Sequence, residues 1–287
     1  MNISKLKNAL TEIKTDIEGA IVTASFNGRS YENGQKAKEA LIRSSRLILK
    51  IHEVAKKSLQ EKLTAIGLPY AIYPPLDSSS PELPVTGFIK RKRQDIVVLV
   101  GNICPKCETI ADGPLQGTQD PLGTTATMTS IVIGVRSQLS SVSKNFDTLM
   151  ERAFAETLNL RLRFPMLVMG EIYLLPLFEY NDEAMKENRV EFKRQPIPID
   201  KFIRTFVGIS GRSAEESGDI YKYERTALIL ADFRREPPEL CLTPPDLVRI
   251  VANSGMANRY AQVSPDSFAS DIVDTHLRRH KRNSSFI

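Results

Sequence analysis

Glu171 stands in the middle of the run MLVMGEIYLLPL (166–177), where every close neighbour is apolar or glycine. In a strand it shares a face with Met169 and Tyr173. A carboxylate in such a place is costly unless it is paired, protonated or bound to a cation. The bland alternatives are a strand that emerges at its edge, or a glutamate paired with a core arginine. Glu191-Phe192-Lys193 is the second such place. Period two puts Glu191 and Lys193 on one face of a strand and Phe192 on the other. An acid and a lysine side by side can hold a divalent cation and orient a water beside it. Oxygen ligands suit Mg2+, and the ammonium can stabilise a phosphate or a hydroxide. Taken alone, Glu-x-Lys also occurs on exposed strands that do no chemistry. The segment NFDTLMERAFAETL supplies Asp147, Glu151 and Glu156 on a helix. Asp147 and Glu151 are four apart and repel each other unless a cation lies between them, whereas Arg152 and Glu156 form an ordinary pair at the same spacing. Asp95 opens the run DIVVLV directly after Lys90-Arg91-Lys92-Arg93-Gln94. It is either a metal ligand beside a phosphate track or one half of a local salt bridge. The basic run itself is either a phosphate clamp or the protective charge of a solvated edge strand.

Cys104-Pro-Lys-Cys107 is a lone CxxC, with Cys241 far from it in sequence. His276 and His280, four apart, are the residues that could complete a zinc site with it. There is no second CxxC. No GxSxG, Walker A or GxGxxG stands in a strand-to-helix context, and the histidines are not spaced as a catalytic triad.

These residues need elements to position them. Ile3, Leu6, Leu10, Ile13 and Ile17 form one apolar helical face over residues 1–18, which Gly19 can end. A turn at Asn27-Gly28 follows. The spacing of Leu41, Ile48, Ile51, Ala55, Leu63 and Ile66 predicts one long helix over 35–66, stopped by Gly67 and Pro69. YPPLDSSSPELP is a loop, GFIKRKRQDIVVLVG one bent strand or two, and 102–128 a long loop of the functional or mobile kind. A helix over 145–162, a strand over 166–177, a strand over 189–194, a helix over 200–210 and a strand over 224–233 follow. The basic tail THLRRHKRNSSFI is expected to fray. This order predicts the α/β class, with a central mixed β-sheet flanked by helices. It also predicts an N-terminal helical region (1–70) and a core (71–287), together one compact domain.

Composition sets the outer bounds. With 287 residues, 41% hydrophobic and 25% charged, the chain can bury a full core and is not disordered. No stretch approaches the eighteen apolar residues of a membrane span, and the N-terminus lacks an apolar signal core. Three cysteines cannot make a disulfide framework and fit a reducing compartment, so a cytoplasmic protein is expected. The net charge of +5 permits an anionic partner without requiring one.

Taken together, the second half of the chain resembles the PD-(D/E)xK nuclease core. That core places an acid on a preceding helix, an acid on one strand and (D/E)xK on the next, and then a helix and a further strand. The matching pieces are Glu151 or Glu156 on the helix, Glu171 on the first strand, and Glu191 with Lys193 on the second. RSQLSSVSKNFDTLMERAFAETLNLRLR and MGEIYLLPLFEYND are also similar to phrases of bacterial type II restriction endonucleases. The resemblance covers roughly 85–235. It implies a restriction-endonuclease-like fold and a site-specific, Mg2+-dependent endonuclease acting on double-stranded DNA and leaving 5′-phosphates. Glu171 and Glu191 would bind the ion, Lys193 would orient the water, and Glu151 or Glu156 would complete the shell. Lys90, Arg91, Lys92, Arg93, Arg136 and Lys144 would contact phosphates, and 102–128 would read bases. A homodimer and a protective methyltransferase in the same system would accompany it. Gly170-Glu171 replaces the expected Pro-Asp. A second register makes Asp95 the leading acid and Glu171 the acid of the next strand, with Tyr173 where lysine would stand. The rival classes are a nucleic-acid-binding protein of the same fold without catalysis, and a hydrolase of small phosphate esters with a closed pocket.

Overall fold

In the computed structural model the described residues are 1–213, 218–248, 250 and 254–281. The elements in chain order are α1 (Ile3–Thr23), β1 (Ser25–Phe26), β2 (Arg29–Ser30), α2 (Gly34–Arg43), α3 (Arg46–Ala65), β3 (Tyr70–Tyr73), β4 (Pro84–Thr86), β5 (Arg91–Arg93) and β6 (Ile96–Val100). Then come β7 (Glu108–Thr109), β8 (Gln119–Asp120), α4 (Gly123–Met128), β9 (Ser130–Ser137), α5 (Phe146–Arg161), β10 (Val168–Pro176), α6 (Asp182–Lys186) and α7 (Ile199–Gly208). The last are β11 (Arg225–Asp232), β12 (Glu239–Cys241), α8 (Pro244–Val248), α9 (Ser254–Arg259) and α10 (Phe268–Lys281).

The central sheet has six strands in the order β12-β11-β10-β9-β6-β3. β9, β10 and β11 run parallel, and β3, β6 and β12 join antiparallel, so the sheet is mixed. Continuous apolar runs suit such strands because both sheet faces are covered. Period two divides them. Ile96, Val98, Ile131, Ile133, Ile172, Leu174 and Ile229 pack on one face against α1, α3 and α10. Val97, Val132, Met169, Tyr173, Leu175, Leu228 and Leu230 point to the other face, which α5 and α7 cover. The N-terminal helices share this first core with the sheet, so residues 1–70 are continuous with it.

Several expectations are corrected. α1 continues past Gly19 and ends where Ala24 enters the left-handed region (φ 47). The long helix over 35–66 is two helices. Ser44 Oγ donates to the Leu41 carbonyl and accepts from the Arg46 amide, and Ser45 turns to φ 63, which interrupts the helical ladder. Residues 189–194 are not a strand. β10 is already paired on both sides by β9 and β11, so this segment runs instead beside the residues that follow β10, with a single bridge, Tyr180 to Phe192, and the Asn181 and Lys193 amides donating to the Glu191 and Glu179 carbonyls. Three strands of the central sheet, β3, β9 and β12, lie outside the strands expected from the sequence. The region 102–128 holds the β7–β8 hairpin and α4. The tail does not fray through Lys281: α10 buries Thr275, His276, Arg279 and His280. The final six residues lie outside the described set.

Candidate functional site

Three neighbouring strands place Asp95, Gly134 and Glu171 in one row. Glu171 on β10 pairs in register with Gly134 on β9. Ile96 pairs with Ile133, so Asp95, one residue before β6, falls opposite Gly134 in the same register. By parity Gly134 and Glu171 belong to the face of Val97, Val132 and Met169, the face covered by α5, while Asp95 sits in the bend just before β6 at the end of that row. Asp95 is tied to the sheet, because its Oδ2 accepts the Val135 amide at 2.8 Å.

Gly134 is what makes room for the carboxylate. A methyl group at that position would collide with Glu171 Oε2. Glu171 is 0% exposed. Arg136, two residues beyond Gly134 on β9 and so diagonal to Glu171, brings Nε to 2.7 Å from Glu171 Oε1. The pair is close but not aligned as a hydrogen bond, and both Glu171 oxygens are buried without a hydrogen-bond partner. Burial pushes the Glu171 carboxyl up to about 7 against the pull of Arg136, and Asp95 and Glu156 push the same way. The carboxylate in turn holds the Arg136 guanidinium above its ordinary value. Tyr173, level with Arg136 in the register, buries its hydroxyl unpartnered.

Glu156 approaches from α5 and is fixed by Lys92 Nζ at 2.8 Å and Gln94 Nε2 at 3.0 Å. Burial acts to raise its carboxyl, but Lys92 and Gln94 outweigh it and hold it below the usual value. Behind Asp95 lies His52 of α3, buried with Nε2 unpartnered. Burial holds the imidazole below its ordinary value, and Asp95 opposes that shift.

The structure therefore gathers Asp95, Glu156, Glu171, Lys92 and Arg136. It does not bring Glu191 and Lys193 to them. Glu191 is exposed and pairs with Arg189. Lys193 pairs with Glu179 at 3.4 Å and Asp182 at 3.0 Å. Their segment lies past the C-terminal end of β10, and the charges acting on Glu171 are Arg136, Asp95, Glu156 and Lys92. Glu151 and Asp147 are exposed on α5, with Asp147 paired to Lys201. Lys90, Arg91, Arg93 and Lys144 are exposed. Cys104 and Cys107 are exposed, and Cys107 Sγ donates to Gln119 Oε1. His276 and His280 are buried against each other, with His276 Nε2 at 2.8 Å from the Thr129 carbonyl. The four do not form a zinc site.

Of the two registers, the one led by Asp95 is nearer to the structure, with a difference. Glu171 is not on the strand next to Asp95 but one strand further, reaching back across Gly134. The cation comes from the middle strand as Arg136. The run SIVIGVRS carried the available signal, a β-branched stretch interrupted by a single glycine and followed by arginine.

The donor set suits a hard divalent cation. Mg2+ is commonly held by one or two carboxylates, the rest of its octahedron being water and substrate phosphate. Asp95 and the unpartnered oxygens of Glu171 are the residues that could hold such an ion. No known protein-family model matches this chain, and neither does any curated protein or solved structure. No described helix is long and apolar enough to cross a membrane.

Proposed function

We propose that the chain is a Mg2+-dependent endonuclease of the restriction type, acting on double-stranded DNA. One observation carries this: Asp95, Gly134 and Glu171 align across three strands, with the buried, unpartnered Glu171 oxygens in the space that Gly134 leaves. A DNA-binding protein gains nothing from carboxylates among its cations, since they repel phosphate. Order along the chain supports the reading too. α3, the antiparallel strands β6 and β9, α5 and parallel β10 follow in the order of the core that the sequence resembles: a helix, two strands, a helix and a further strand.

Asp95 and Glu171 would hold the ion, which supplies a polarised phosphate and a water of lowered pKa. Arg136 offers its guanidinium to the scissile phosphate in place of the lysine of the resembled pattern. Glu156, restrained by Lys92 and Gln94, accepts a hydrogen bond from an ordered water. Lys90, Arg91, Arg93 and Lys144 contact flanking phosphates and position the duplex. The β7–β8 region would read base edges. A homodimer would present two such sites to a palindromic sequence, and a partner methyltransferase would protect host DNA.

Digestion of unmethylated phage DNA with Mg2+, beside an EDTA control, tests the proposal. Discrete fragments are expected from the wild-type chain. Asp95→Asn and Glu171→Gln should each lower the rate by about a hundredfold or more. Glu191→Ala and Lys193→Ala should cut within about threefold of wild type. Cleavage that survives in both carboxylate variants would sink this site. Salt-sensitive binding without cleavage of several DNAs would leave the non-catalytic binding class.

A further inference from the structure

We infer that Arg136 is a place-holding cation, which keeps the metal position at Glu171 closed until a substrate phosphate draws the guanidinium away. The inference rests on the proposed nuclease site and concerns how that site fills.

Glu171 is completely buried, and its ion-pair partner is Arg136 at 2.7 Å. The guanidinium reaches Glu171 diagonally from two residues along β9, and the Glu171 carboxylate fills the space over Gly134. Arg136 itself keeps 19% of its side chain exposed, so one side of it faces solvent. It is therefore the lid on Glu171 as well as its counter-charge. A divalent cation on Glu171 would stand close to the guanidinium held at Oε1, and the two positive charges repel. Metal entry is therefore opposed for as long as Arg136 stays at Oε1.

The pair is poorly made for permanence. Its two members are not aligned as a hydrogen bond, and both carboxylate oxygens remain unpartnered. The planar guanidinium fits a phosphate in bidentate fashion, so a phosphodiester arriving at the exposed side offers it a better partner. Asp95 and Glu171 also leave most of a Mg2+ octahedron to be completed by water and phosphate. Both features work in one direction: the cation and the phosphodiester bind together, each strengthening the other by the same factor.

The test measures binding, not cleavage. Mn2+ is titrated calorimetrically, without DNA, into wild type, Arg136→Gln, Glu171→Gln and the double variant at mildly alkaline pH. Arg136→Gln is expected to bind Mn2+ about tenfold or more tightly than wild type. The double variant should lose that gain. Arg136→Lys, which keeps the charge but not the fork, should fall between them and serves as the readout if Arg136→Gln does not fold. In fluorescence anisotropy on a mixed-sequence duplex, Ca2+ should strengthen wild-type binding by about fivefold or more and have a smaller effect on Arg136→Gln. Equal Mn2+ affinity in wild type and Arg136→Gln, with Glu171→Gln weakening, would overturn the gate and leave the nuclease site standing. Absence of Mn2+ binding in every form would overturn both.

Discussion

At the residue scale the site depends on a missing side chain. Gly134 lets Glu171 lie over the middle strand, and a methyl group there would collide with the Glu171 carboxylate. The obstruction is the end of a side chain and not backbone, but that side chain is completely buried, so its displacement has a packing cost. Gly134→Ala is therefore expected to destabilise the fold by about 1–3 kcal/mol, while lowering cleavage by about a hundredfold through displacement of the carboxylate. Thermal melts and fragment assays on one preparation would separate the two effects, and a collapsed melting temperature would contradict this account. The sequence disclosed Glu171 because a charge in an apolar run is costly wherever the strand lies. It did not disclose Gly134 or the partnership of Arg136, because both depend on which strands become neighbours. Glu191 and Lys193 misled for the same reason: alternation describes a strand only when a sheet edge is free to receive it, and β10 had none. Glu191 is satisfied by Arg189 two residues away, a local pair that looks the same in sequence as a catalytic one.

At the element scale, what holds β10 in place is a buried charge cluster at its start. Glu224, immediately before β11, accepts from Arg161 at 2.6 Å, Arg212 at 3.2 Å, Arg279 at 2.7 Å and the Met169 amide at 2.5 Å. These donors come from α5, β10, the segment after α7, and α10, so one carboxylate ties four parts of the chain beside the site. Removing one member of such a cluster strands buried cations. Glu224→Ala is expected to cost about 3–5 kcal/mol in urea unfolding, and a loss under about 1 kcal/mol would show that the arginines find other partners. The elements joined here were also the legible ones. α5, β10, α7 and β11 each fall within a few residues of the segments expected at 145–162, 166–177, 200–210 and 224–233. Long apolar periodicity carries that information. The break at Ser44-Ser45 and the burial of α10 were not legible, because a serine pair leaves helical periodicity intact and a basic amphipathic tail reads as solvated until a surface is found for it.

At the scale of the whole molecule, α1 and α10 close the first face of the sheet. The Met1 ammonium donates to the carbonyls of Pro265 and Asp266, just before α10. α10 in turn carries His276 and His280 into the core, and burial lowers both imidazoles to about 4. For His276 the neighbouring His280 lowers it further; for both, Arg279 acts in the same sense. A histidine with a depressed folded pKa contributes stability that is complete above its unfolded value near 6.5 and is lost as pH falls towards the folded value. At pH near 5 each ring accounts for about 2 kcal/mol, less in combination because the rings touch. Glu171 acts with the opposite sign. Its carboxyl is raised to about 7, so its contribution is complete below about 4.5 and is lost as pH rises through 7. Between about pH 5 and 6.5 the two effects therefore oppose each other, with the histidine pair the larger. The wild-type chain should lose stability on acidification across that window. Glu171→Gln should lose it more steeply, because the opposing contribution is gone. Replacing both histidines with glutamine should flatten or reverse the slope. Urea unfolding at a series of pH values measures all three slopes, and an unchanged slope in the double histidine variant would show that α10 does not carry the acid sensitivity of the fold.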